Sequence, residues 1–452
     1  MNLHHLLAAR TAAGRPVRAA LIGAGKFGSM FLSQVPTTPG LEIAGIVDLS
    51  PDRAREACRS VGWDEARLSA TKFTNDAAEA INRDDVEVII EATGHPAAGI
   101  RHARLAIKAR KHIVTVNVEA DALVGPLLAE DARRAGVVYS LAYGDQPALT
   151  AELVDWARAA GFGVVAAGKG TKYLPLYHSV TPDDVWAHYG LTPDEAERAG
   201  MNPQMFNSFL DGTKSAIEMV AIANATGLDV PGKGLEFPPC GVDDLPHVLR
   251  PRSAGGVLDH AGMVEVVSSI ERDGRPVFRD LRWGVYVVIE APNDYAASCF
   301  KQYGLKTDDS GRYAAMYKPY HLIGLELGIS VLSAALRGEP TGQPREFRGD
   351  VVSVAKRDLK PGEMLDGEGG YTVWGRAVPA QTSLALGALP IGLAHRLPLT
   401  RNVPQGEVVR WSDVDITRAD LLMGEAIKTR RAMEAHRCGK ETPEGVLETA
   451  CV

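Results

Sequence analysis

An α/β fold is predicted for this 452-residue chain, and three observations near its start predict it. The apolar strand Val17 to Ile22 runs straight into Gly23-Ala24-Gly25-Lys26-Phe27-Gly28. A helix-length stretch comes next. A second strand, Ile43 to Val47, then ends on Asp48, twenty residues beyond Gly28. This is the order of a dinucleotide-binding Rossmann turn, in which Gly23 permits the tight turn, Gly25 lets backbone approach a pyrophosphate, and Gly28 brings the helix close to the strand. Lys26 and Phe27 open that helix, whose free N–H groups favour the phosphates. Asp48 is placed to take the ribose hydroxyls.

Strand and helix keep alternating after Asp48, as in a parallel sheet covered on both faces. A helix begins at Pro51-Asp52, followed by strand Val86 to Glu91, helix Ala97 to Ala109, strand His112 to Asn117, helix Ala122 to Ala135 and strand Val137 to Ser140. Ligands of open α/β sheets bind beyond the carboxyl ends of the strands. Thr93 and Gly94, and Asn117 with Glu119, are therefore expected at the cofactor crevice. Residues 1–147 are read as the NAD(P)-binding domain.

The texture changes near Ala148. Strand Gly163 to Ala167 leads into Gly168-Lys169-Gly170-Thr171-Lys172-Tyr173, which reads as a glycine- and lysine-rich loop. Further strands are expected at Val264 to Ile270 and Gly284 to Glu290, and a helix from Pro319 to Leu336. Residues 148–345 form a central α+β substrate and dimerisation domain in this reading. Residues 346–417 are β-rich, with strand-turn-strand patterns around Pro361-Gly362 and Gln405-Gly406, and residues 418–452 form a helical tail expected to fray past Gly439.

Composition excludes several classes of function. The net charge of −7 leaves no basic footprint of the kind nucleic-acid binding requires. No apolar run reaches the ~20 residues of a membrane span. Five scattered cysteines without C-x-x-C pairs argue for a reducing compartment, so the cytoplasm is expected. Zinc-protease and serine-hydrolase motifs are absent.

Lys214 and Glu218 stand four apart on one helix, either as a solvated pair or as a catalytic one. Lysine ahead of glutamate is the unfavourable order for the helix dipole, which favours the second reading. Lys169 and Lys172 are candidates to grip a substrate phosphate or carboxylate, or else decorate an exposed loop. Glu119 is a candidate acid, base or metal ligand, or a surface glutamate. His247 with Arg250, Lys318 with His321, and His95 are further substrate candidates, against the plainer role of structural residues.

Two resemblances attach to these residues. Residues 17 to about 227 resemble the homoserine dehydrogenase family, through Gly23 to Gly28, Ile113-Val114-Thr115-Val116-Asn117 and the helix between Gly212 and Gly227. Residues 350 to 416 resemble a SAF domain. The combination resembles the deoxyxylulose-phosphate reductoisomerase-like family, which implies NADP(H), a divalent cation, a homodimer and a role in isoprenoid precursor synthesis. Val118 stands where homoserine dehydrogenases place a lysine, and the charges at 214 and 218 are exchanged. Both changes disfavour an amino-acid substrate and suit an anionic, sugar-like one.

The expectation is thus an NAD(P)H-dependent oxidoreductase acting on CH–OH groups, of the 1-deoxyxylulose 5-phosphate reductoisomerase type, with Lys214, Glu218 and Glu119 as catalytic residues. One alternative is a dehydrogenase of another small hydroxy or aldehyde compound. Another is a cofactor-binding regulator with a sugar-binding tail. Asp48 favours NAD, because it would repel a 2′-phosphate, whereas Arg53 or Arg55 would offset that repulsion.

Overall fold

A computed structural model describes residues 2–437. The expected fraying past Gly439 lies outside the described residues. The fold is α/β, with an N-terminal parallel sheet, a central mixed sheet and a strand-rich C-terminal region. Contacts divide the chain into two units: residues up to Ala151 with His321–Arg345, and Glu152–Tyr320 with Glu346 onward.

In the first unit, β1 (Val17–Ile22), β2 (Leu41–Val47), β3 (Lys72–Thr74), β4 (Val88–Glu91), β5 (His112–Thr115) and β6 (Tyr139–Leu141) form one parallel sheet. Their order is β3-β2-β1-β4-β5-β6, so the connection reverses between β1 and β4 and opens a ligand crevice there. Leu21, Ile46, Ile90 and Val114 are wholly buried, as strands covered on both faces require.

The helix expected from Pro319 to Leu336 spans only Gly328–Arg337. Gly324 takes a φ of +81°, outside the helical region, which delays the start. Leu327, Val331 and Leu332 pack with Leu3 and Leu7 in the core of the first unit. Residues 321–345, expected in the substrate domain, therefore belong with the cofactor domain.

The second unit is built on β7 (Gly163–Thr171), β8 (Met263–Ser268), β9 (Val285–Glu290) and β10 (Tyr313–Lys318), in the order β10-β9-β7-β8. The stretch Gly168 to Thr171 is strand rather than loop. Its glycines serve close approach: a Cβ at Gly168 would stand 1.9 Å from the Glu265 carbonyl oxygen, and one at Gly170 1.9 Å from that of Leu281. Ala166, Met263, Val267, Tyr286 and Val288 face an apolar cluster with Leu245 and Leu249. By the alternation of a strand, Ala167, Lys169, Val266 and Val285 face the other way.

That opposite face meets the helix Thr213–Thr226, of which every residue except Lys214 is buried. A helix without a solvated side belongs at the centre of a unit. The same helix carries the C-terminal region. Strands β11 (Gly349–Ala355) and β13 (Val373–Pro379) pair antiparallel, as do β12 (Met364–Asp366) and β14 (His395–Pro398). The Thr213 hydroxyl accepts from Gly375 N at 2.8 Å, and the Asn224 side-chain oxygen accepts from Arg348 N and Gly349 N at 2.8 and 3.0 Å. The strand-turn-strand pattern expected around Gln405-Gly406 is reduced to isolated bridges. The tail helix, Leu421–Arg437, is anchored by an ion pair between Arg430 and Asp350 with both side chains buried.

Glu265 on β8 is fully buried and accepts backbone N–H bonds from Glu236, Phe237 and Val266. Burial outweighs those bonds and pushes its carboxyl up from 4.5 to about 7. The folded state thus holds this proton over a pH range in which the unfolded chain has released it. Stability is complete in this respect below about pH 4.5 and is lost as pH rises to about 7, a cost on the order of 3 kcal/mol. Glu265→Gln is expected to flatten that slope, read as urea midpoints at about pH 5 and about pH 8.

Candidate functional site

The glycine turn has the geometry its sequence announces. Gly23 takes a φ of +99°, and a Cβ at Gly28 would stand 2.3 Å from the Gly23 carbonyl oxygen. Gly25 caps the helix Lys26–Gln34 without any side-chain bond, which leaves the first N–H groups for an anion. Lys26 is exposed and Phe27 half-buried beside them.

Asp48 sits beyond β2, and its carboxylate accepts from Ala24 N at 3.1 Å, Ser50 N at 3.0 Å and the Arg53 guanidinium at 2.7 Å. Burial alone would raise its carboxyl, but these bonds together hold it below the ordinary value. Asp48 therefore ties the glycine turn to the helix Pro51–Ser60. Arg53 remains mostly exposed, whereas Arg55 lies over the Phe73 ring at 4.4 Å.

Thr93 and Gly94 are exposed in the loop after β4. The Thr93 hydroxyl donates to Glu91 at 2.5 Å, and His102 Nδ1 lies 3.3 Å from the same oxygen. Glu91 is fully buried, and its other oxygen lacks a hydrogen-bond partner among the described residues. Sequence reading passed over this residue, although a carboxylate ending an apolar strand was the available clue.

Asn117 proves to be a helix cap rather than a loop tip. Its oxygen accepts from Ala120 N at 3.0 Å and its amide donates to the His95 carbonyl at 3.0 Å. The helix begins at Val118 instead of Ala122, so Glu119 lies in its first turn, where the dipole favours a carboxylate.

In the second unit Glu218 pairs with Lys169 of β7, and not with Lys214. Both side chains are almost wholly buried, on the face of the sheet turned toward the helix Thr213–Thr226. Lys214 is half-buried one turn above Glu218. Lys172, expected beside Lys169, is engaged elsewhere. Lys172 donates to the His188 carbonyl at 2.5 Å, and burial together with the charge of Arg282 lowers its ammonium below the usual value.

Lys318 shares a sheet row with Lys169, since both pair laterally with Val285. It therefore projects to the same face, and its ammonium meets Glu152 at 2.5 Å. His247 and Arg250 belong to the opposite layer, the first 3.4 Å from Asp309 and the second 2.6 Å from Asp308. The structure thus brings Lys169, Glu218, Lys214 and Lys318 onto one side of the sheet and leaves His247 on the other.

A second cluster escaped the sequence reading altogether. His178 stacks on Trp374 with ring centroids 3.8 Å apart, binds the Asp211 carbonyl through Nδ1 at 2.7 Å and meets the Tyr173 hydroxyl through Nε2 at 2.8 Å. Asp211 itself pairs with Lys356 at 2.9 Å, both side chains buried. Among the described residues no group of three or more His, Cys, Asp and Glu side chains is arranged to hold a metal ion. None of the described helices is long and apolar enough to cross a membrane.

Two family models match parts of the chain. Residues 17–119 match the GFO/IDH/MocA oxidoreductase family with its NAD-binding Rossmann fold. Residues 144–327 match the catalytic domain of oxidoreductase DRL. Neither match is to a homoserine dehydrogenase or a SAF domain, and the β-rich region after residue 345 lies outside both. No curated protein sequence matches.

Similar solved structures include the 3-ketoreductase KijD10 of Actinomadura kijaniata, 16% identical with a TM-score of 0.26 over 36% of this chain and 50% of that one. Biliverdin reductase of Synechocystis is 17% identical, TM-score 0.26, over 35% and 48%. A DOX-P reductoisomerase with magnesium is 14% identical, TM-score 0.34, over 47% and 58%. The chain spans about half the length of the first two. Residues 17–119 are thus similar to an NAD-binding Rossmann domain of oxidoreductases and residues 144–327 to a DRL-type catalytic domain, each match covering less than half of the chain.

Proposed function

We propose that the protein reduces the carbonyl of a small, anionic, sugar-like substrate, with 1-deoxyxylulose 5-phosphate as the foremost candidate and a reductoisomerase reaction as its outcome. The observation that carries this reading is the buried Lys169–Glu218 pair beside Lys214, in the segment that matches the DRL catalytic domain. Bound nicotinamide would supply the hydride. Lys214 polarises the carbonyl oxygen, the Lys169 ammonium delivers the proton, and Glu218 holds that ammonium in place and balances its charge. Glu119 is the acid–base candidate of the first unit.

The residues present do not fit a divalent cation at Glu218. Its charge is already met by Lys169, and no third ligand stands with it among the described residues. No step is therefore assigned to a metal.

The test is to follow nicotinamide absorbance with a panel of ketose phosphates and to analyse the product by NMR for a branched carbon skeleton. Reduction without branching would leave a simple dehydrogenase. Cofactor binding with no turnover would leave a regulator.

Asp48 bears on the cofactor. Its carboxylate suits a ribose with both hydroxyls and would repel a 2′-phosphate, so NADH is the expected partner and Arg53, which bonds to it, the lever toward NADPH. Asp48→Ser is expected to raise KM for NADH about 10- to 100-fold and to lower that for NADPH, measured by titrating both. An unchanged ratio would remove Asp48 from the recognition of the ribose.

A further inference from the structure

Glu91 is a buried acid to which the reading above gives no task. It ends β4, where its backbone lies beside Ile22 of β1 on one side and Thr115 of β5 on the other. Its side chain is almost wholly enclosed, and one carboxylate oxygen has no hydrogen-bond partner among the described residues. A buried carboxylate so incompletely matched is costly for folding alone. Its position is the reversal of strand order between β1 and β4, where a dinucleotide is expected to bind.

The other carboxylate oxygen starts a chain of contacts. It accepts from the Thr93 amide at 3.3 Å and the Thr93 hydroxyl at 2.5 Å, and His102 Nδ1 of the helix Pro96–Lys108 lies 3.3 Å away. The Thr93 hydroxyl, its proton committed to Glu91, accepts in turn from His95 N at 3.4 Å. The His95 carbonyl accepts from the Asn117 side-chain amide at 3.0 Å, and Asn117 caps the helix Val118–Ala135. The loop after β4 is thereby fixed at its base and joined to the turn after β5. It is also pressed onto the glycine turn, since a Cβ at Gly23 would stand 2.7 Å from the Ala92 carbonyl oxygen and 3.0 Å from Thr93 N.

These positions divide the contacts of a bound dinucleotide. Gly25 and the helix it opens serve the pyrophosphate, and Asp48 beyond β2 serves the ribose of the adenosine half. The other half then lies across β1, over the ends of β4 and β5. Thr93 and Gly94 are exposed there. Glu91 has no exposed surface with which to touch a ligand.

We propose that Glu91 is the positioning residue of the nicotinamide half-site: it acts by holding Thr93, and through it residues 92–95, in the conformation that receives the nicotinamide riboside. The proposal rests on the cofactor reading given above and names what orders one half of that site. An ionised carboxylate suits the task because it only accepts, which fixes the Thr93 hydroxyl as a donor to Glu91 and an acceptor from His95.

Calorimetric titration of the full chain with NADH and with ADP separates this role from a general structural one, because ADP carries the adenosine and pyrophosphate without the nicotinamide riboside. Glu91→Met is expected to weaken NADH about 10- to 100-fold and to leave ADP within a few-fold. Thr93→Val is expected to do the same, and Thr93→Ser, which keeps the hydroxyl, to bind NADH like the wild type. Since the two residues act in series, Glu91→Met/Thr93→Val should bind NADH no more weakly than the weaker single variant. Unchanged NADH affinity in Glu91→Met, equal losses for NADH and ADP, or additive losses in the double variant overturn the proposal. Should Glu91→Met fold poorly, Glu91→Gln takes its place: it presents a donor where the carboxylate had none, and a loss confined to NADH is still required. A wild type that binds neither ligand removes the cofactor reading and this role with it, whereas the outcomes above remove the role alone.

Discussion

Lys169→Met is expected to destabilise the protein by about 3–5 kcal/mol, the cost of leaving one member of a buried ion pair unmatched. Glu218 has almost no exposed side chain and would be left buried without its partner. The double variant Lys169→Met/Glu218→Met removes both charges and fills the volume with apolar atoms. It is expected to be more stable than the single variant, because the desolvation of both ions disappears along with their attraction. Urea midpoints of the wild type, the two singles and the double give the coupling directly. Additive losses in that cycle would show that the two side chains do not depend on each other.

Glu218→Gln is expected to lower kcat by about 10²- to 10⁴-fold, the usual worth of a positioned proton-transfer system, and to lower the unfolding midpoint as well, because the Lys169 ammonium stays buried without its counter-charge. Gln keeps the size and can still accept from the Lys169 ammonium, so packing is preserved while the negative charge is lost. The conservative Glu218→Asp separates charge from placement: kcat restored toward wild type would assign the loss to the missing charge, and a loss equal to that of Gln would assign it to the position of the carboxylate. Lys214→Ala, one turn away, is expected to lose turnover as well, and an effect within a few-fold would remove Lys214 from the mechanism.

The parts legible in the sequence were those specified by neighbours along the chain. Gly23 to Gly28 and Asp48 announced the cofactor turn because glycine spacing, strand and terminal acid all lie within one short unit. The partner of Glu218 was another matter. Lys214 stands four residues away and was the natural choice, but a central helix has no surface on which such a pair could lie, and the actual partner comes from a strand in another part of the chain. Composition also misled at Gly168 and Gly170. Their glycines resemble a flexible loop, yet they serve to let the backbones at Glu265 and Leu281 come close.

The cluster around His178 combines Tyr173, Asp211, Phe237 and Trp374, residues spread over some two hundred positions. No local pattern marks any of them.

The return of residues 321–345 to the first unit bears on how the protein is made. Leu327, Val331 and Leu332 complete a core whose other members, among them Leu3, Leu7 and Leu21, leave the ribosome first. The core of the cofactor domain is therefore completed only after all four strands of the second unit's sheet have been synthesised. During that interval its parallel sheet waits with an apolar face uncovered, the state in which nascent chains are prone to aggregate. A chain stopped after Ala151 keeps every residue of the glycine turn and still lacks the helix Gly328–Arg337, so the cofactor domain is not obtained by cutting the chain where its fingerprint ends.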